Sequence, residues 1–280
     1  MEIVMSKCNE NNARFILKST TTAFANAFRR AMISEVPTLA IEDVKIYDNT
    51  SVLFDEMLAH RLGLIPLRTD LNACTPITEC LCNGEGCSRC TATYTLSVEG
   101  PRMVYSRDLI PQNSASPPVY DNIPIVKLNE NQKVVIEAKA VINIGKEHAK
   151  WQPTVACGYK SYPVITIDEH CDGCGMCVEE CPRGILAIDN GKAIIVENKL
   201  ENCLLCGLCQ RVCLTGGIGS VPSIHIDTDE TSKIFVVEGD HSLPVREIIE
   251  RALLGLKKKS EDLLTALNEI SEEVSNAKND

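Results

Sequence analysis

Cysteine is the residue type whose spacing speaks most directly of chemistry in this sequence. Eight of its fifteen cysteines form two runs of identical spacing. Cys171-x2-Cys174-x2-Cys177-x3-Cys181 is followed 32 positions later by Cys203-x2-Cys206-x2-Cys209-x3-Cys213. Thiolate is a soft ligand that favours iron–sulfur clusters and zinc, so the spacing must decide between them. Zinc ribbons separate two C-x2-C knuckles by roughly a dozen residues or more. Three cysteines at three-residue intervals with a fourth after x3 make the run that wraps a cubane [4Fe–4S] cluster. Where two such runs are paired, the fourth cysteine of each serves the other's cluster. The spacing therefore assigns Cys171, Cys174, Cys177 and Cys213 to one cluster, and Cys203, Cys206, Cys209 and Cys181 to a second. Pro182 follows the first run as the pattern expects, whereas Leu214 follows the second and departs from it. Two roles stay open for such clusters: staples for a module with little core of its own, or carriers of electrons.

Four more cysteines, Cys80-x-Cys82-x4-Cys87-x2-Cys90, lie around Gly84 and Gly86. Four thiolates within eleven residues fit a tetrahedral structural zinc site, with glycine permitting the tight turn. The bland alternative is four free thiols in a loop. Cys74 is a less well-spaced substitute ligand, and Cys8 and Cys157 read as small core residues.

Elements must hold these ligands in place. Around the paired runs, Val164–Ile167, Ala193–Val196 and Ser223–Ile226 have strand character, giving two copies of strand, cysteine loop and short helix. Ahead of the cysteines, Ser19–Thr22 offers an N-cap to a stripe of Phe24, Ala27, Phe28, Ala31 and Met32, and Pro37 ends that helix. Near the other end, Ile249, Leu253, Leu256, Ser260, Leu263, Leu267, Ile270 and Val274 alternate spacings of four and three behind Pro244. A seam this narrow and long is the pattern of helix pairing, and at ~45 Å it outruns a small domain. A second subunit is expected to supply part of its contact. Val36–Tyr47 and Val134–Ile144 read as strands, and Pro111–Pro124 as loop.

Composition sets the outer limits. Hydrophobic content of 44% and charged content of 24% describe an ordinary globular chain. Net charge is −10, and a balance of −7 falls between Thr166 and Glu230 alone, which argues against binding nucleic acid directly. No stretch approaches the ~18 apolar residues of a membrane helix. MEIVMSKCNENNARF carries charge and no apolar h-region, so no signal peptide is expected, and in the reducing, cytoplasmic setting then expected thiols at this density suggest metal. The five histidines are scattered, and no phosphate-binding loop, nucleophile elbow or acidic metal triad is present, so no catalytic residue is expected.

FANAFRRAMISEVP (Phe24–Pro37), followed by AIEDVKIY (Ala40–Tyr47), resembles the first helix and strand of the RNA polymerase α-like family. EMLAHRLGLIPLR (Glu56–Arg68) is similar to the segment where archaeal and eukaryotic members enter an inserted domain. The 80–90 loop resembles the zinc loop of eukaryotic members, and the heptad helix resembles the family's dimerisation helix. With the paired cluster runs added, the whole chain looks like an archaeal D-type member.

The resemblance implies an α+β fold with a split α-like dimerisation domain, residues 1–47 and 222–280. A mainly β inserted domain would span 48–163, and a ferredoxin-like 2[4Fe–4S] module 164–221. It also implies a non-catalytic assembly subunit of DNA-directed RNA polymerase. That subunit pairs with a smaller α-like partner, subunit L, and nucleates the large catalytic subunits, with small subunits N and P alongside. DNA is then met only through the complex. Phe24, Phe28, Ile249, Leu253, Leu256, Leu263, Leu267 and Ile270 are the expected partner interface. On this view the clusters are structural or redox-sensing; the alternative is a ferredoxin-type electron-transfer protein fused to a docking domain.

Overall fold

A computed structural model of the chain describes residues 1–77, 80–82, 85–112, 116–216 and 221–276. Its elements begin with β1 (Glu2–Cys8), β2 (Asn12–Lys18), α1 (Thr22–Ser34), β3 (Pro37–Asn49) and α2 (Asp55–Gly63). There follow β4 (Thr91–Glu99), β5 (Arg102–Tyr105), β6 (Ile110–Pro111), β7 (Pro124–Leu128) and β8 (Lys133–Ile144). The remainder is β9 (Thr154–Ile167), α3 (Met176–Glu179), β10 (Leu186–Asp189), β11 (Lys192–Ile195), α4 (Leu208–Gly216), β12 (Ile224–Gly239) and α5 (Val245–Asn276). The expected α+β class is borne out, with a β-rich stretch between α2 and α3.

The chain divides into two compact units. The first comprises residues 1–6, 14–25 and 159–235. Here Phe15 stacks on Phe235 with ring centroids 5.0 Å apart, and Tyr159 lies against the same ring at 5.2 Å. A smaller core gathers Ile165, Ile185, Leu186, Ala193 and Ile224 with the thiols Cys177, Cys203 and Cys209. β10 and β11 form an antiparallel hairpin in register Leu186↔Ile195 to Asp189↔Lys192. Asn190 and Gly191 make its two-residue turn, both at positive φ, as a tight hairpin of this hand requires.

The second unit comprises residues 7–13, 26–158 and 236–280. Its sheet has the order β3-β8-β4-β6, and β3 pairs antiparallel with β8 from Pro37↔Ile144 to Asn49↔Val134. Alternate residues of β8 are buried, the period-2 pattern of a strand with one face on a core. That core includes Tyr94, Leu96, Ile136 and Ile142 from the sheet, and Leu58 and Leu62 from α2.

The two flanking helices partly revise the expected interface. On α1, the Phe24 amide donates to Thr21 Oγ1 at 3.2 Å, so the hydroxyl run does cap the helix. Phe28, Ala31 and Met32 are buried within the chain, and Phe24 is half-buried, while Ala27 is exposed. Phe28 is 0% exposed and has no surface to offer a partner. Its place in the apolar stripe reflects core packing. On α5, Val245, Ile248 and Ala252 are buried, and Ile249, Leu253 and Leu256 are half-buried. Leu263, Leu267 and Ile270 are 61%, 53% and 56% exposed. The helix is anchored by its first two turns and then presents its seam. Val274 belongs to this helix, but its side chain lies outside those described, as Gly84 lies outside the described residues.

Candidate metal centres

The loop 80–90 converges four sulfurs. The Sγ atoms of Cys80 and Cys87 lie 3.5 Å apart, those of Cys82 and Cys90 3.5 Å, and those of Cys87 and Cys90 3.9 Å. All four lie within 4.8 Å of one another. Zn–S bonds of ≈ 2.3 Å in a tetrahedron put sulfurs about 3.8 Å apart, so the donor set fits zinc. The Cys87 amide donates to Cys90 Sγ at 3.3 Å, and Gly86 takes φ +83° to turn the chain. Burial pushes the Cys90 thiol up to about 12, so its thiolate needs a cation beside it.

The paired runs share a backbone as well as a spacing. Gly175 and Gly207, 32 positions apart, take φ +81° and +71°; Gly173 and Leu205, also equivalent, take +69° and +57°. A left-handed turn thus precedes and follows the second cysteine of each run. Gly173 is also short of space, since a Cβ there would meet the Gly191 carbonyl oxygen at 2.3 Å. Cys171, Cys174, Cys177 and Cys213 line one cavity, floored by Ala193 and Ile224. Cys181, Cys203, Cys206 and Cys209 line another, beside Ile185 and Ile226. The fourth cysteine of each run therefore lies with the first three of the other, the donor set that two cubane clusters call for.

Backbone amides already point at several of these sulfurs. Ala193 donates to Cys171 Sγ at 3.4 Å, Leu205 to Cys203 Sγ at 3.4 Å and Ser223 to Cys213 Sγ at 3.3 Å. Such bonds favour the charged thiolate form. Burial, then the charges of Cys171 and Cys174, raise the Cys177 thiol to about 11, a crowding of like charges that bound metal relieves. No spacing rule foretells the Ala193 and Ser223 donors, because β11 and the residue just before β12 deliver them from outside the runs.

The remaining cysteines stand apart. Cys8 is exposed on β1, which corrects its reading as a core residue: every residue of that strand except Val4 is exposed, so the strand buries neither face there. Cys157 is half-buried, and burial pushes its thiol up to about 11. Cys74 is half-buried, and its thiol is also raised, by burial first and then by Asp70.

Comparison with known proteins agrees with both halves of this picture. Residues 44–168 match the RNA polymerase Rpb3/RpoA insert domain, and residues 170–216 match a 4Fe-4S dicluster domain. DNA-directed RNA polymerase subunit Rpo3 of Methanosarcina acetivorans is 46% identical over 96% of this chain and 99% of its own length. The chain belongs to the Rpo3 family. The Rpo3 proteins of Methanosarcina mazei and Archaeoglobus fulgidus are 47% and 41% identical, each over 96% of this chain and at least 98% of their own lengths. Membership makes the chain a subunit of an archaeal DNA-directed RNA polymerase, one carrying an iron–sulfur domain. Among the described residues, no helix is long and apolar enough to cross a membrane.

Proposed function

We propose that this Rpo3-family chain is a non-catalytic assembly subunit of the polymerase. It pairs through α5 and the Phe24 end of α1 with the smaller α-like subunit L. The pair is the platform for the large catalytic subunits, with subunits N and P alongside, in the cytoplasm. The observation that carries this reading is the outer half of α5, where Leu263, Leu267 and Ile270 form an apolar seam in solvent. Exposed apolar side chains at heptad spacing are what a helix partner would cover. Arg246–Glu250 and Arg251–Glu247, both at 2.8 Å, and Lys257–Glu261 at 3.7 Å support the helix on its other faces.

The metal content belongs to the same proposal. Two [4Fe–4S] clusters are held by Cys171, Cys174, Cys177 and Cys213, and by Cys203, Cys206, Cys209 and Cys181. One structural zinc is held by Cys80, Cys82, Cys87 and Cys90. The clusters would supply rigidity or a redox-sensitive fold, since they sit in a core of few large side chains. Support comes from the cavity linings, the sulfur separations and the dicluster match.

Replacing Leu263 and Leu267 by aspartate tests the pairing. The expected result is loss of co-purification with subunit L and a melting temperature of the isolated chain close to that of the unaltered protein. A heterodimer that survives both substitutions would sink the interface. Anaerobic purification should return about eight iron, eight sulfide and one zinc per chain.

A further inference from the structure

The two runs are equivalent in spacing and backbone, yet opposite in charge. Between Cys171 and Cys181 lie Asp172, Glu179 and Glu180 and no basic residue. Between Cys203 and Cys213 lies Arg211 and no acidic residue. The inversion occurs at matched positions: Asp172 corresponds to Leu204, and Glu179 to Arg211, at the same 32-residue offset.

The crossed fourth cysteines change what each cluster meets, because Glu179 and Glu180 precede Cys181, which lines the second cavity. Both glutamates are exposed and neither lines that cavity, so the groups at the cavities decide the balance. Lys160, from β9, donates its ammonium to the Cys203 carbonyl oxygen at 2.5 Å. Arg211 Nη2 donates to the Cys206 carbonyl oxygen at 3.4 Å. Arg183 lines the second cavity itself. Arg14 also reaches this region, through the Glu201 carbonyl at 2.8 Å, but it pairs with the Glu201 carboxylate at 3.6 Å and adds little net charge. Among the described residues lining the first cavity, Asp172 is the one Asp or Glu, and there is no lysine or arginine.

Cluster potentials follow net charge, hydrogen bonds and exposure. Adding one electron makes a site more negative, so nearby cations favour the reduced form and nearby carboxylates oppose it. We propose that the two clusters are electronically inequivalent: the one held by Cys203, Cys206, Cys209 and Cys181 accepts an electron first, because Arg183 lines its cavity and Lys160 and Arg211 donate to the carbonyls of two of its cysteines. The step is outer-sphere. A low-potential one-electron donor, such as dithionite or a reduced viologen, loses the electron that the cluster gains, and no bond forms or breaks. Lys160 and Arg211 are thus positioning residues for charge, acting through the cysteine backbone. The inference rests on the two-cluster reading given above.

The test is an anaerobic potentiometric titration of the full chain followed by electron paramagnetic resonance, with iron counted for every variant. The unaltered protein should give two separable couples. Arg211→Gln, at an exposed position, and Lys160→Met should each lower only the higher couple, with electron affinity falling up to tenfold, or 59 mV for a one-electron step. Asp172→Asn should raise only the lower couple. Eight iron with a single shared potential, or with the lower couple answering to Lys160 and Arg211, would overturn the inequivalence and leave the two-cluster reading intact. Markedly fewer than about eight iron in the unaltered chain would overturn both.

Discussion

Gly173 and Gly175 sit two positions apart and share a left-handed backbone, yet only Gly173 is short of space. A Cβ at Gly175 meets nothing within 4 Å, whereas one at Gly173 collides with the Gly191 carbonyl of the β10–β11 turn. Gly175→Ala should therefore cost only its backbone term, about 1–2 kcal/mol, with iron content retained. Gly173→Ala must also displace the hairpin, and iron per chain should fall; iron and sulfide assays on the two variants would separate them. The uninvolved thiols offer a second check. With Cys157 pushed to about 11 by burial, roughly one molecule in a thousand carries its thiolate at pH 8, so iodoacetamide should modify exposed Cys8 well before it. Asp229 gives a pH signature. Hydroxyls of Ser232 and Thr231, and the Thr231 amide, hold its carboxyl below the usual carboxylate range. Its contribution is fully present above the unfolded-state value near pH 4 and is lost as pH falls through the lower folded value. Asp229→Asn should accordingly flatten the acid limb of a stability-against-pH curve.

At the scale of elements, the cysteine loops were legible because ligand spacing is a local property of the chain. The β10–β11 hairpin was missed, although Asn190-Gly191 between two short apolar runs is a hairpin signal. Helix faces were less legible. An apolar stripe announces that a helix buries something, but not whether its own chain or another does the covering. Phe28 illustrates the ambiguity, lying in the stripe and wholly inside the chain. Phe28→Ala should cost about 3–5 kcal/mol in denaturant melts of the isolated chain, as a cavity substitution does. The Leu263 and Leu267 substitutions should change such melts by no more than about 0.5 kcal/mol. α5 shows the same division along one helix: Val245, Ile248 and Ala252 anchor it one row away from the seam. Neither the anchoring row nor the reach of Lys160 across to Cys203 could be read from spacing, because both depend on which elements the fold brings together.

At the scale of the molecule, the two cores differ in kind. The second unit's core is a broad set of buried aliphatic and aromatic side chains around Tyr94, Leu96 and Ile136. The first unit's smaller core counts three cluster-run thiols among its eight buried members. A core of that composition gains much of its order from metal. Removing iron with oxidant and chelator should therefore raise hydrogen exchange across residues 164–226 while β3, β4 and β8 keep their protection. Exchange followed by mass spectrometry would check it, and equal loss in both units would contradict the division. The acidic balance of residues 166–230 also becomes intelligible as a local property, broken by basic groups gathered at the second cavity.

The interlocking of the two runs has a consequence for biosynthesis. Forty-two positions separate Cys171 from Cys213, which lines the same cavity. A ribosome making the chain from its N-terminus delivers the first three sulfurs of that cavity long before the fourth. The second cavity receives its outlying donor, Cys181, first and is complete at Cys209. The site begun later in the chain is thus the first to have all four thiols synthesised, and neither can be filled by its full donor set until translation has passed both runs' third cysteines.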